Sequence, residues 1–375
     1  ETPMTPPTRP GSWGDACGAW ALPGRSGGAA ILLVLVSVAS VRCLPPSPRA
    51  AEVIQDAPHR RYNPLLEEWV LCSPHRTRRP WSGQVEDGDQ GFGMRVDRSN
   101  PLAPGGRRGG TMNPDYESVF IFNNDFPALL PDTPVAVEED GPLFRSHTVR
   151  GRSRVMCFHP YGDLTLALMT AEEVHKVVDA WADETETLGR EYQWVQVFEN
   201  RGAMMGCSNP HPHCQIWASD FVPNIPAKKD ASQRRYYERY GSVLLVDYAR
   251  EEKKKQVRVV DESDHWICVV PYWAMWPYEI MMLPKRHVLR LPDLSEKERR
   301  DLAVILKRVL TRYDNLFEIS MPYSMGWHGA PFPNPDESDE DWSHWQLHAV
   351  RTRLLPPTLP ISRTRRLLVL LSSQL

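Results

Sequence analysis

The sequence predicts an α+β fold of two similar halves, each formed by an antiparallel sheet with one long helix packed on one face. Two observations lead to this prediction. A long amphipathic segment that opens with a helix-capping box occurs twice. Each copy is preceded by apolar, strand-like runs and is followed by a strand and then by a histidine-bearing segment. The shared order is a coarse internal repeat, and it favours a sheet that is covered by helices on one face.

The two long helices are predicted from their first residues. Thr170 and Glu173 form the first capping box, and this helix is expected to end at Gly189. Ser295 and Glu298 repeat the capping box in the second half. Apolar residues then recur on one face of each helix. Strand-like runs lie at residues 118–122, 155–158, 194–198, 265–270, 280–283 and 321–327.

The segment between the halves, residues 227–255, is rich in charged side chains, and we expect a solvated, partly helical connector there. The predicted organisation has four parts. An atypical, disordered N-terminal extension covers residues 1–58, and the N-terminal half covers 59–226. The connector and the C-terminal half cover 227–349, and a divergent tail covers 350–375.

Composition excludes some classes of function. With 44 Lys and Arg against 47 Asp and Glu, the near-neutral chain is not expected to bind nucleic acid through a general positive charge. Seven scattered cysteines without a Cys-x-x-Cys pair favour reduced thiols and a cytoplasmic protein. The apolar run at residues 29–41 is too short to span a bilayer comfortably, so no membrane partner is expected. Because this run is similar to the apolar part of a signal peptide, secretion remains the alternative.

The segment from Gly206 to Trp217 carries the strongest chemical signal. It contains His211-Pro212-His213 and leads into the alternating pattern of a strand, where residues two apart share a face. Both imidazoles and the Gln215 amide would then point into one pocket. An imidazole nucleophile beside an amide donor suits the transfer of a phosphoryl or nucleotidyl group. The alternative is a pair of structural histidines in a proline-rich turn.

Several further blocks occur in order along the chain: Arg61-Tyr62-Asn63-Pro64-Leu65, Pro74-His75-Arg76, Arg79-Pro80-Trp81, Asn124-Asp125-Phe126-Pro127 and Trp327-His328-Gly329. Together with the His-Pro-His segment they resemble the galactose-1-phosphate uridylyltransferases, a branch of the histidine-triad superfamily, from about residue 60 to residue 349. The resemblance implies a cytoplasmic homodimer of the Leloir pathway of galactose metabolism. Such an enzyme moves a uridylyl group from UDP-glucose to galactose-1-phosphate through a covalent uridylyl-histidine.

The resemblance also implies roles for particular residues. His213 matches the nucleophile, and His211 matches a hydrogen-bonding residue behind it. Gln215 matches a residue that binds a phosphate oxygen but, being an amide, cannot act as a general acid. Ser208 and the neighbouring backbone amides would cradle phosphate oxygens. The remaining matches to nucleotide-binding positions are Arg76, Arg79, Asn124, Asp125, Asn200 and Arg201.

Two metal sites of the family are altered in this sequence. Asn100, Ala103 and Gly162 stand where some members place two cysteines and a histidine around a structural zinc, so zinc is not expected there. At the second site His328 and His348 match ligand positions. Lys229 replaces a glutamate, with Asp230 beside it as a candidate ligand, and Val350 replaces a histidine. We therefore expect at most a weakened site for zinc or iron.

Two other functions compete with uridylyl transfer. A nucleotide hydrolase or phosphorylase of the same superfamily is disfavoured by Gln215, because a third histidine at that position would be needed to protonate a leaving group. A catalytically impaired isoform that serves as a nucleotide-binding or dimer-forming subunit is the second alternative. It is suggested by the tail after Ala349, where the family's substrate-contacting loop is not recognisable.

Overall fold

The computed structural model describes residues 57–78, 94–334 and 337–352, and every structural statement below concerns these residues. Predictions for the first 56 residues, for Arg79 and for the tail beyond Thr352 lie outside them. Elements run across two of the predicted boundaries, because one helix begins at Asn224 and the last strand continues to Thr352. The predicted division at 226/227 and 349/350 stays a prediction.

The described residues form fifteen strands and four longer helices. The strands are β1 (His59–Asn63), β2 (Glu68–Cys72), β3 (Arg107–Arg108), β4 (Thr111–Met112), β5 (Phe120–Asn123), β6 (Val137–Asp140), β7 (Phe144–His147), β8 (Gly151–Cys157), β9 (Trp194–Arg201), β10 (His213–Ser219), β11 (Val259–Glu262), β12 (Trp266–Val269), β13 (Ile280–Pro284), β14 (Tyr323–His328) and β15 (His348–Thr352). The helices are α1 (Ala171–Gly189), α2 (Asn224–Tyr240), α3 (Leu244–Lys255) and α4 (Glu296–Phe317).

Nine strands form one antiparallel sheet in the order β11-β12-β13-β15-β14-β9-β10-β8-β5. The N-terminal half supplies β9, β10, β8 and β5, and the C-terminal half supplies the other five strands. The predicted α+β fold, with an antiparallel sheet in each half, is confirmed. The two half-sheets are continuous, because β9 pairs with β14 through neighbours such as Asn200 and Ser324.

Both long helices pack on the same face of this sheet. Thr170 and Ser295 cap them as predicted, each accepting a bond from the amide of the glutamate three residues later. Each strand turns alternate residues toward these helices, which builds one core across both halves. Trp181 of α1 is fully buried in it and donates its indole N–H to Cys214 of β10 at 3.4 Å.

The opposite face of the sheet is covered in one half and open in the other. Over the C-terminal half it is covered by the connector, where Leu245 and Ala249 of α3 pack against Ile267 and Met281 of the sheet. The connector is helical as expected, but the expectation that it is solvated was wrong for this apolar face. Over the N-terminal half, Gln215 and other residues of the same face remain half exposed. The face that the connector leaves open is therefore the one on which the predicted nucleophile strand lies.

Candidate active site

Strand β10 positions the side chains of the conspicuous sequence segment. It lies between β8 and β9, and its alternate residues Cys214 and Ile216 are buried beneath α1. His213 and Gln215 consequently point together to the open face, as the alternation predicts.

The imidazole of His213 is held in one tautomer. Its Nδ1–H donates to the carbonyl of His211 at 2.7 Å, which leaves Nε2 without a proton. Burial lowers the pKa of His213 below its ordinary value, although the carbonyl bond opposes this shift. The ring is therefore neutral near pH 7, with a lone pair on Nε2 for nucleophilic attack.

His211 lies behind His213 and does not face the open side of the sheet. It is buried, its Nε2–H donates to the carbonyl of His159 at 2.9 Å, and the Tyr116 hydroxyl lies 3.1 Å from the same nitrogen. Burial lowers the pKa of His211 to about 4, so this ring is also neutral. Its backbone amide donates to Asn209, whose side chain exchanges two 2.9 Å bonds with Asn100. These bonds hold the backbone carbonyl that orients His213.

The same surroundings show why zinc does not fit here. A side chain built at Gly162 would place its Cβ 3.3 Å from Nδ1 of His211, and Asn100 is tied to the His211 loop through Asn209. The positions that the resemblance assigns to zinc ligands therefore converge on His211. In this chain they carry an amide, the methyl group of Ala103 and a hydrogen atom, and no thiolate is present at these positions.

The amide of Gln215 has a fixed orientation. Its Oε1 accepts a bond from the indole N–H of Trp217 at 3.0 Å. Because an indole nitrogen is only a donor, the oxygen must face Trp217, and the NH2 group is directed away as a free donor. Trp217 is itself placed by an edge-to-face contact with Phe198, with 5.4 Å between ring centroids. This arrangement presents an N–H donor two residues from His213.

The loop that precedes His211 is shaped by two glycines. Gly202 and Gly206 have φ angles of 84° and 80°, which side-chain-bearing residues rarely adopt. A Cβ at Gly202 would also lie 2.9 Å from Pro322. Ser208 is exposed on this loop. The amides of Gly206 and Cys207 already donate to the carbonyls of Ala203 and Gly202, so a phosphate cradle here would use the Ser208 hydroxyl and the remaining loop amides. The cradle stays a prediction.

At the outer edge of the N-terminal half, Asn124 and Asp125 follow β5. Asp125 accepts a bond from Arg108 at 2.8 Å, and the guanidinium of Arg108 lies 3.5 Å from the ring centroid of Phe122. Phe122 shares the open face with Gln215, since both pair with Val155 of β8. Arg108 is a candidate phosphate or ribose contact that the sequence reasoning missed. The basic turn Arg-Arg-Gly-Gly at 107–110 is the signal that could have found it.

Asn200 and Arg201 do not share a face. Asn200 lies on the open face and accepts a bond from the Ser324 hydroxyl at 2.6 Å. Its neighbour Arg201 points the other way and donates to Ser320. The predicted substrate contact of Arg201 stays a prediction, and this placement does not favour it.

Arg76 lies in a short turn after β2, and its side chain is exposed. The hairpin before it is held by α2, through a bond from Ser232 to Leu65 and an ion pair between Arg235 and Glu67. Arg76 is therefore placed by the C-terminal half, and its phosphate contact also stays a prediction.

The second predicted metal position lies in the C-terminal half. His328 and His348 are register partners on β14 and β15, with ring centroids 5.2 Å apart. Nδ1–H of His348 donates to the carbonyl of Gln346 at 2.9 Å, and Nε2 accepts a bond from Nζ of Lys229 at 2.9 Å. Burial lowers the pKa of Lys229 to about 7 and that of both histidines well below the ordinary value.

The residues at this position do not fit a zinc or iron ion. The lone pair of His348 that would coordinate it already accepts a bond from Lys229. Asp230, the candidate carboxylate ligand, lies 2.5 Å from Nε2 of His344, and Val350 offers no ligand atom. Only Nδ1 of His328 is buried here without a hydrogen-bond partner among the described residues. One available imidazole nitrogen is far fewer than the four ligands that zinc usually takes.

A separate group of ligand-type side chains lies between α1 and α4. His175, Asp179 and Glu296 have ligand atoms within 4.8 Å of one another, an arrangement that could hold a metal ion. Arg299 is 3.2 Å from Asp179 and 3.9 Å from Glu296, so a guanidinium already neutralises part of this group. The identity of any ion is not indicated by these contacts.

Comparison with known proteins identifies the family. Residues 50–223 match the family model for the galactose-1-phosphate uridyl transferase N-terminal domain, and residues 229–360 match that for the C-terminal domain. The chain belongs to this family. It is 52% identical to the galactose-1-phosphate uridylyltransferase of Rattus norvegicus, over 83% of this chain and 81% of the relative. It is 51% identical to the Haemophilus influenzae protein of the same name, over 83% of this chain and 87% of that protein.

Solved structures share the fold of this family member. A uridylyltransferase structure aligns with a TM-score of 0.61 at 24% identity, covering 84% of this chain and 98% of the other. An ADP-glucose phosphorylase from Arabidopsis thaliana, solved with bound ADP-glucose, aligns with a TM-score of 0.62 at 22% identity, covering 82% and 92%. These likenesses confirm the predicted histidine-triad type of fold.

Proposed function

We propose that this chain transfers a uridylyl group from UDP-glucose to galactose-1-phosphate, with His213 as the nucleophile. The observation that carries the proposal is the geometry of His213. Its Nδ1–H is held by a backbone carbonyl, and its Nε2 lone pair points to the open face of the sheet. Membership of the galactose-1-phosphate uridylyltransferase family supplies the substrate pair.

The reaction follows in two displacements. Nε2 of His213 attacks the α-phosphorus of UDP-glucose, an N–P bond forms, and the P–O bond to the β-phosphate breaks to release glucose-1-phosphate. A phosphate oxygen of galactose-1-phosphate then attacks the same phosphorus. The N–P bond breaks, and UDP-galactose leaves. Division into two steps replaces one difficult displacement by two easier ones.

Gln215 stabilises the intermediate in this proposal. The NH2 group that Trp217 directs away from itself donates to a non-bridging oxygen of the uridylyl phosphate. An amide cannot protonate a leaving group, so it stabilises the intermediate without promoting its hydrolysis. Ser208 and the loop amides around it contact further phosphate oxygens, and Asn124, Asp125, Asn200 and Arg108 are the candidates for ribose, uracil and phosphate contacts.

We also propose that the chain forms a homodimer. Strands β6 and β7 and the segment before them expose large apolar side chains, with 89% of Phe126, 82% of Leu143 and 70% of Phe144 accessible. Large apolar side chains that are exposed close together in the sequence are typical of an interface. Leu143→Asp with Phe144→Ser should convert a dimer into monomers in light scattering. A dimer that persists in this variant would rule out this surface as the interface.

A cytoplasmic location is proposed from the thiols. Cys72, Cys157, Cys207, Cys214 and Cys268 are free. Among the described helices, none has both the length and the hydropathy that a bilayer crossing needs.

Zinc or iron at His328 and His348 would at most be weakly held, and no step of the proposed reaction depends on it.

One experiment tests the proposed function. The full chain is incubated with UDP-glucose, and intact mass and released glucose-1-phosphate are measured together. We expect the mass of one uridylyl group on each folded chain, a matching burst of glucose-1-phosphate, and discharge of the label by galactose-1-phosphate. A folded chain that shows no adduct and no burst would overturn the proposal, as would steady UMP release without an acceptor.

A further inference from the structure

The place where α2, β14 and β15 meet contains a buried lysine and two histidines. Only 5% of Lys229 and none of His348 is accessible. His348 is the register partner of His328 in the next strand, and their rings stack nearly parallel at 14°. A side-chain amine is thus enclosed with two imidazoles, and a buried polar group of this kind needs a specific hydrogen-bond partner.

The partner is fixed by counting protons. His348 uses its Nδ1–H on the carbonyl of Gln346, so its Nε2 carries a lone pair. Nζ of Lys229 donates to that lone pair across 2.9 Å. The Nε2 lone pair of His348 therefore points at the amine of Lys229, as it would point at a metal ion that it coordinated.

The neighbouring residues are arranged to suit a lysine. Asp230, the next residue, turns its carboxylate to His344 and Arg234 instead of the two imidazoles. Val350, two residues after His348 on the same strand face, packs with the apolar cluster beneath α3. Asp230 would have to reorient and Val350 would have to be replaced before this position offered enough ligands for a divalent cation.

We infer that the side-chain amine of Lys229 takes the place of a divalent cation in this chain. It joins α2 to the β14–β15 pair through His348, so the C-terminal half is held together without metal at this position. The replacement covers the bond to His348 and not a full ligand set, because Nδ1 of His328 keeps no partner in the described residues. The inference does not rest on the proposed function.

Metal content of the full-length chain is the first test. After purification with added zinc and dialysis against a weak chelator, the unmodified chain should hold less than about a tenth of an equivalent. Lys229→Glu supplies a carboxylate and Val350→His an imidazole beside His328 and His348, which completes the four-ligand set that zinc prefers. This double variant should hold about one equivalent of zinc. Its melting temperature should rise with zinc, because zinc binds the folded state.

A matched control uses the neighbouring lysine. Lys228 is more than half exposed and pairs with Glu68 at 3.3 Å. Lys228→Glu with Val350→His makes the same change of charge one residue away, and should stay metal-poor. Lys229→Met should lower the melting temperature more than Lys228→Met, because it leaves the buried Nε2 of His348 without a donor.

Three results would overturn the inference. The first is a full equivalent of zinc on the unmodified chain that disappears in His348→Asn. The second is a folded Lys229→Glu, Val350→His variant that still binds no metal, since lysine would then not be what excludes it. The third is equal stability of Lys229→Met and Lys228→Met. If the double variant does not fold, the metal content of the unmodified chain and the two methionine variants decide the matter.

Discussion

Strands β10 and β15 occupy equivalent places in the two halves, one strand outward from the β9–β14 junction. Each begins with a histidine whose Nδ1–H donates to the carbonyl two residues earlier, from His213 to His211 and from His348 to Gln346. The backbone therefore produces the same tautomer twice. The two histidines differ in what lies next to Nε2. His213 faces the open side of the sheet, whereas Lys229 covers His348.

In both halves the strand fixes the tautomer of a histidine. Whether the connector covers that histidine then decides whether its Nε2 is buried or faces the open side of the sheet. The connector lies over the second face of the C-terminal half only. Where it lies, the histidine becomes a structural acceptor with no exposed surface. Over the N-terminal half, the same local geometry leaves His213 on the open face beside the Gln215 amide.

Replacement of His213 should abolish the covalent reaction, whereas replacement of His348 should lower only the stability of the fold. His213→Asn should bring the uridylyl label from UDP-glucose below detection, because the nucleophile is gone. His348→Asn should lower the melting temperature but leave the label per folded chain unchanged. Intact mass and thermal melting measure both variants. Label that persists in His213→Asn, or that is lost from folded His348→Asn, would contradict the contrast.

Gln215→His should shorten the life of the uridylyl-enzyme. The amide that holds the phosphate is lost, and a group able to donate a proton replaces it. A positioned general acid typically raises the rate of such a step by about a hundredfold or more, so hydrolysis without acceptor should rise by that order. The decay of isolated uridylyl-enzyme in buffer measures it. An unchanged lifetime would show that Gln215 is only structural.

Trp217→Phe should produce a smaller effect of the same kind. The ring that packs on Phe198 is largely retained, but the indole N–H that orients the Gln215 amide is removed. A neutral hydrogen bond contributes about 1 kcal/mol, so we expect transfer to galactose-1-phosphate to slow by about fivefold. Gln215→Ala serves as the control. If Trp217 acts through Gln215, the two changes together should cost little more than Gln215→Ala alone.

The protonation of His213 predicts a smaller effect on activity. An imidazole with the ordinary pKa of about 6.5 would be half protonated at pH 6.5, and its reactivity would be halved. Because burial lowers the pKa of His213, the midpoint of the fall in the rate of the first half-reaction should lie below pH 6.5. Single-turnover release of glucose-1-phosphate measures this. A twofold loss at pH 6.5 would mean that the ring is not desolvated.

The lowered pKa values also set the sign of the stability change with pH. His211 titrates at about 4 when folded and near 6.5 when unfolded. Between these values the unfolded chain binds more protons, so stability is present above pH 6.5 and is lost as the pH falls toward 4. Thermal melting across this range should show the loss. His211→Asn should flatten the curve, whereas a variant of an exposed histidine such as His147→Asn should not.

Much of this protein is determined by local sequence. Thr170 and Ser295 start helices because a side-chain oxygen satisfies the free amides of the first turn, a requirement that is complete within four residues. His213 and Gln215 share a face because a strand alternates strictly, whatever surrounds it. The ordered motifs were enough to indicate the family, and Lys229 and Val350 were enough to indicate a damaged metal position.

Only the tertiary structure decided which groups meet across the chain. Lys229 and His348 are 119 residues apart, and no local pattern says that one bonds the other. Arg108 reaches Asp125 and the ring of Phe122 because a loop folds back over β5. The burial of the charged connector likewise depends on the apolar face of a sheet formed far along the chain. Such contacts depend on long-range packing, whereas capping and alternation are properties of neighbouring residues.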